Sequence, residues 1–65
     1  MSKNKMKENR LKHNMRLKDL AEETGISVGY LSHLERGSRD NPSKEVMEKI
    51  SKALHSSIPE IFFSK

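Results

Sequence analysis

The chain has 65 residues, no cysteine, 13 Lys and Arg against 9 Asp and Glu, and a formal net charge of +4. A chain this short buries only ~60% of the surface its unfolded form exposes, which limits it to one domain with one modest core and argues against an enzymatic cleft. Without cysteine there are neither disulfides nor thiolate metal sites, so helix packing or self-association has to supply the stability.

Residues 1–4 are polar and aperiodic, which predicts a flexible, frayed N-terminal arm ahead of a single domain over 5–65. A first helix is expected from Lys5 to His13, with Met6, Arg10 and Leu11 on one stripe and Asn14 as a left-handed residue that ends it. Arg10 on an inward stripe needs a partner, because an unpaired buried charge is very costly. A second helix starts near Leu17. There Leu17, Leu20 and Ala21 share a face, and Lys18, Asp19, Glu22 and Glu23 stay in water. Gly25 stops it, since a residue without a Cβ adopts the left-handed turn that ends many helices. Ser27 then serves as the N-cap of a third helix. At ~100° per residue, Leu31, Leu34 and the Tyr30 ring point one way and Gly29, Ser32, His33 and Arg36 the other. Residues 37–42 read as a loop, and Ser43 caps a fourth helix with Val46, Met47, Ile50, Ala53 and Leu54 inward. Lys44, Glu45, Glu48, Lys49 and Lys52 form its solvated side. Ser57 and Glu60 make a capping box for a short last helix reaching about Phe63, in which Phe62 closes the core.

Charge is unevenly placed along these elements. Residues 1–18 carry Lys3, Lys5, Lys7, Arg10, Lys12, Arg16 and Lys18 against Glu8 alone, residues 19–35 add only acids, and Arg36, Arg39 and Lys44 restore a basic stretch. Basic groups thus flank the two central helices where the phosphates of a polyanion would run.

Two short helices meeting at a glycine turn, the second with a small, polar, basic outer face, are what a helix-turn-helix presents to a major groove. Ala21, Gly25, Ile26, Leu31, Leu34 and the tail Leu34-Glu35-Arg36-Gly37 resemble the Cro/CI/Xre-type helix-turn-helix of phage and bacterial repressors. The stretch from Tyr30 to Leu54 is similar to the DNA-binding domain of Sin-type repressors, and the resemblance covers roughly residues 5–63. It implies an all-α, compact five-helix bundle of the lambda-repressor-like type. It also implies that Arg10 forms a structural ion pair with Glu35, the other reading of Arg10 being a phosphate ligand. Two positions depart from the family: Asn9 replaces an apolar residue, so that the first helix is expected to be slightly rotated or more weakly packed there, and Arg16 stands where a Ser or Thr usually caps the second helix.

By that resemblance the chain is expected to be a sequence-specific transcriptional regulator, a repressor, that binds double-stranded DNA as a homodimer on an inverted repeat. Base edges would be read by Ser27, Val28, Gly29, Ser32, His33 and Arg36. Phosphates would be met by Arg16, Lys18, Tyr30, Arg39, Asn41 and Lys44. Ile58, Ile61 and Phe63, taken as the apolar residues least needed by the core, would form the dimer interface. The alternatives are the antitoxin of a toxin–antitoxin pair and, more weakly, a protein-interaction adaptor, whose helix would expose apolar anchors that this face lacks. No metal, cofactor or enzymatic activity is expected. His13, His33 and His55 lie on different segments without a completing Cys or acid cluster, and the adjacent Ser32 and His33 diverge by ~100° around their helix. The longest apolar run, residues 61–63, is far below the ~20 residues of a membrane span, and nothing reads as a signal peptide. The expected location is the cytoplasm, at the nucleoid, without a membrane.

Overall fold

The computed structural model describes residues 4–37 and 42–63. It contains five helices, α1 (Met6–Lys12), α2 (Leu17–Thr24), α3 (Val28–Arg36), α4 (Lys44–Ala53) and α5 (Ile58–Phe62), and no strand among the described residues. Helix α2 packs on α3 and α4, α5 packs on α4 and α1, and α1 packs on α3, so the contacts close a ring around one core. Met6, Leu20, Leu31, Leu34, Ile50, Leu54 and Ile61 are its fully buried apolar side chains. Every helix contributes to it, and Leu54 enters from the C-cap of α4.

Local chemistry sets the helix ends. Gly25 takes φ +75° and donates its N–H to the Ala21 carbonyl at 2.8 Å, closing α2 in the left-handed conformation that glycine adopts without strain. Asn14 ends the α1 turn with φ +56°. Ser27 and Ser43 accept the Tyr30 and Val46 N–H groups, each at 3.2 Å, and so cap α3 and α4. At α2 the Asp19 carboxylate accepts the Arg16 N–H at 2.9 Å. This supplies one half of a capping box, because a guanidinium has no acceptor for the other. At α5 the box is complete: Ser57 N–H donates to Glu60 Oε1 at 2.9 Å and Glu60 N–H donates to Ser57 Oγ at 3.3 Å. The bonds from the Ser57 backbone and hydroxyl hold the Glu60 carboxyl below its ordinary value. The cap therefore stabilises the fold above the carboxylate range and weakens as pH falls through it.

Arg10 and Glu35 form a buried bidentate pair, with Nε to Oε2 at 2.6 Å and Nη2 to Oε1 at 3.1 Å. The remaining guanidinium nitrogen, Nη1, donates to the Met15 carbonyl at 2.8 Å. One side chain thereby fastens α1, the α1–α2 loop and α3.

Four expectations change. Leu11 is 54% exposed, because it lies ~100° around α1 from Arg10 and leaves the stripe that Met6 and Arg10 share. Asn9 does not weaken packing by being polar: its Oδ1 accepts the Ser56 hydroxyl at 3.1 Å and its amide donates to the Lys5 carbonyl at 2.9 Å. Asn4, assigned to the arm, is anchored, its amide donating to the Leu34 carbonyl at 2.8 Å and its Oδ1 accepting the Met6 N–H at 3.0 Å. Ile61 is fully buried, so it is a core residue and presents no side chain to a second copy.

Two buried polar residues had no counterpart in the helical pattern. Thr24 Oγ1 donates to the Leu20 carbonyl at 2.8 Å and accepts the Ile26 N–H at 3.2 Å, stiffening the turn after α2. Ser51 Oγ is buried without a hydrogen-bond partner, a state that costs about 1–3 kcal/mol.

Removing one member of a buried ion pair strands the other, so Arg10→Ala is expected to lower stability by ~3–5 kcal/mol. Urea unfolding of the variant checks this, and a midpoint equal to that of the parent chain would show that Glu35 does not depend on Arg10.

Candidate nucleic-acid interface

Helix α3 divides into two arcs. Leu31, Leu34 and Glu35 are buried on one. Gly29, Ser32, His33 and Arg36 fall within ~100° of each other on the opposite arc, where Gly29, His33 and Arg36 are exposed and Ser32 is half-buried. Nine residues make α3 ~13 Å long, enough for one face to follow a groove over a few base pairs.

The N-terminal end of that face is formed by Ser27 and Val28, both exposed. Ser27 Oγ is engaged as the cap acceptor, leaving its hydroxyl hydrogen to donate outward. Gly29 has no structural reason to be glycine. A Cβ built there meets no atom within 4 Å and its φ is not positive, while glycine inside a helix costs roughly 0.5–1 kcal/mol relative to alanine. The fold tolerates a penalty at the point where the outer face is barest.

Of the expected phosphate ligands, Arg16, Lys18, Tyr30 and Lys44 lie among the described residues, at α2, α3 and α4. Arg16 precedes α2 and Lys18 lies in its first turn, Lys44 opens α4, and all three are exposed. Tyr30 is half-buried and packs on the core, so its ring is held in place from beneath. Arg39 and Asn41 lie outside the described residues. Glu35, the one acid of α3, is turned inward and neutralised by Arg10. The outer arc is thus left without negative charge.

The expected dimer residues separate. Ile58 is half-buried, Phe63 is 65% exposed, and Ile61 belongs to the core. A groove of about 480 Å³ between the end of α2 and α4 is lined by Glu23, Thr24, Lys49, Lys52, Ala53 and His55. Its one hydroxyl, that of Thr24, is committed to the Leu20 carbonyl. Among the described residues, no helix is long and apolar enough to cross a membrane.

Sequence reasoning did not find the Asn4 link to Leu34. It joins residues 30 positions apart, and no local pattern announces it. Nor did it find that His13 and His55 stand together, with ring centroids 5.6 Å apart.

Comparison with known proteins agrees with this geometry. The chain is 34% identical over 61 residues to the HTH-type transcriptional regulator SinR of Bacillus subtilis, covering 94% of this chain and 55% of SinR. It is 41% identical over 46 residues to the HTH-type transcriptional regulator SlrR of the same organism, covering 71% of this chain and 30% of SlrR. A solved SinR protein/SinI protein complex superimposes with a TM-score of 0.82 at 36% identity, covering 91% of this chain and 57% of the matched one. The chain therefore spans about a third to a half of the length of these curated relatives. The family model described as helix-turn-helix matches residues 6–61, and the chain belongs to the helix-turn-helix family of the Cro/CI/Xre type.

Proposed function

We propose that the protein is a sequence-specific transcriptional regulator, acting as a repressor, that binds double-stranded DNA through α3. The observation that carries this reading is the division of α3. One arc is locked into the core by Leu31, Leu34 and the Arg10–Glu35 pair, and the other offers Gly29, Ser32, His33 and Arg36. A face held rigidly from behind is what positions side chains against base edges. Its relatives SinR and SlrR are named transcriptional regulators, which supports the same reading.

In this proposal Arg36 pairs with guanine, Val28 packs on a thymine methyl, and Ser27, Ser32 and His33 take the remaining edges. The bare Gly29 lets the helix backbone approach the groove. Arg16, Lys18, Tyr30, Arg39, Asn41 and Lys44 meet phosphates and set the register. Because one short helix reads too few base pairs to select a site in a genome, two copies act as a dimer. The exposed Phe63 and the half-buried Ile58 supply the apolar contact. Selection from random duplexes should yield an inverted repeat with half-sites ~10 bp apart; an unselected pool bound as tightly as any enriched sequence would defeat the proposal.

Gly29→Ala separates folding from binding. The variant should be more stable by ~0.5–1 kcal/mol and bind the selected operator at least tenfold more weakly in a mobility-shift titration. Equal or better affinity would remove close backbone approach from the model.

Alanine in turn at Arg16, Lys18 and Lys44 should weaken all duplexes alike and reduce the salt slope by about one for each lost phosphate contact. A slope unchanged in all three would place the phosphates elsewhere.

Phe63→Asp should leave the fold intact, since the ring is mostly in solvent, and abolish cooperative binding to the two half-sites. Sedimentation with operator DNA checks it, and two variant protomers bound with undiminished cooperativity would move the interface away from the C-terminus.

A further inference from the structure

The imidazoles of His13 and His55 come from opposite parts of the chain and meet on the surface, with centroids 5.6 Å apart and planes at 64°. His13 is the C-cap of α1 and His55 follows the C-cap of α4. At exposed positions such an edge contact is only a weak aromatic pair. Its setting makes it more than that, because both backbones are held in place. The His13 N–H donates to the Arg10 carbonyl at 3.1 Å, and the His55 N–H to the Lys52 carbonyl at 3.2 Å. Beside them, the Ser56 hydroxyl donates to Asn9 Oδ1 at 3.1 Å and joins the same two segments. Two imidazoles carried on separate, anchored elements are the ligand type that borderline divalent transition metals favour.

We propose that His13 and His55 form a two-histidine site for such an ion, Ni²⁺ or Zn²⁺, that clips the end of α1 to the end of α4. An ion ~2.0–2.1 Å from one nitrogen of each ring lies about 3.2 Å from each centroid. The observed 5.6 Å then corresponds to an angle at the metal of roughly 120°, which a four-coordinate ion completed by water accepts. Both rings are exposed, so each has room to turn about χ2, a broad torsion in histidine, and in the proposed site each ring presents one nitrogen to the ion. Lys12, beside His13, and Lys49 and Lys52, which line the groove next to His55, oppose a cation, and Glu23 in that groove offsets one of these charges. The ion binds the folded chain in preference to the unfolded one, in which the two histidines are far apart, so its affinity appears as thermal stability.

The test is thermal unfolding of the full chain with Ni²⁺ or Zn²⁺ in excess, beside Mg²⁺. The borderline ions should raise Tm by about 5 °C and Mg²⁺ should leave it unchanged. The gain should vanish in His13→Gln and in His55→Asn, the latter chosen because asparagine tolerates the φ of +55° at that position, and it should persist in His33→Gln. In parallel, substoichiometric Ni²⁺ should broaden the imidazole proton resonances of His13 and His55 ahead of those of His33, a readout on the unaltered chain that stands even if a variant folds poorly. No rise in Tm, a rise that survives either substitution, or broadening confined to other residues would overturn the site.

Discussion

The fold turns on two charges kept out of water. Arg10 and Glu35 are each less than a tenth exposed, and an arrangement of that kind persists only when nearly every donor and lone pair is met. Here the carboxylate takes two guanidinium N–H groups and the Met15 carbonyl takes a third. A well-packed apolar pair of similar volume would stabilise the core as well or better. What the ion pair adds is direction. Hydrogen bonds to a planar fork tolerate little rotation, so α3 cannot turn about its axis without breaking them, and its outer arc keeps a fixed aspect.

That fixed aspect gives the bare face its meaning. Helix α3 carries a glycine that neither backbone conformation nor packing requires, next to a half-buried serine, an exposed histidine and an exposed arginine. A helix selected for stability alone would hold alanine or a long polar residue at that position. The same helix is held at both ends, by the Ser27 cap at its start and by Asn4 on the Leu34 carbonyl near its finish. Core, cap and clamp all act on the element with the least side-chain bulk outside, an arrangement suited to close approach by a large, rigid partner such as duplex DNA.

The ring of helix contacts explains how so small a core suffices. Helix α5, five residues long, would not persist alone. It is held by its capping box, by Ile61 in the core and by the Lys5 N–H on the Ile61 carbonyl at 2.8 Å. That last bond joins the beginning of the described chain to its end. Two further chain-distant hydrogen bonds, Asn4 to Leu34 and Ser56 to Asn9, tie the N-terminal segment to α3 and to the turn between α4 and α5. Polar side chains at the periphery thereby hold elements together that a larger protein would fasten with more apolar area.

The sequence by itself determined where helices start and stop, because those signals are short-range. Gly25, Asn14, Ser27, Ser43 and the Ser57–Glu60 box each act within four residues of their own position, and the structure places every one as the local chemistry requires. It also determined the two arcs of α3, since the helical period alone sorts Leu31 and Leu34 from Gly29, Ser32, His33 and Arg36. Arg10 announced the need for an acid, but Glu35 was supplied by family resemblance rather than by spacing. Only the tertiary structure decided which apolar residues are spent on the core. Ile61 goes in and Phe63 stays out, although both belong to one short apolar run, because α4 and α1 pack on the side of α5 that carries Ile61 and leave Phe63 in solvent. Only the tertiary structure, too, brought Asn9 to Ser56, Asn4 to Leu34 and His13 to His55. Those pairs join residues far apart in the chain, and periodicity within a helix carries no information about which helix will lie against it.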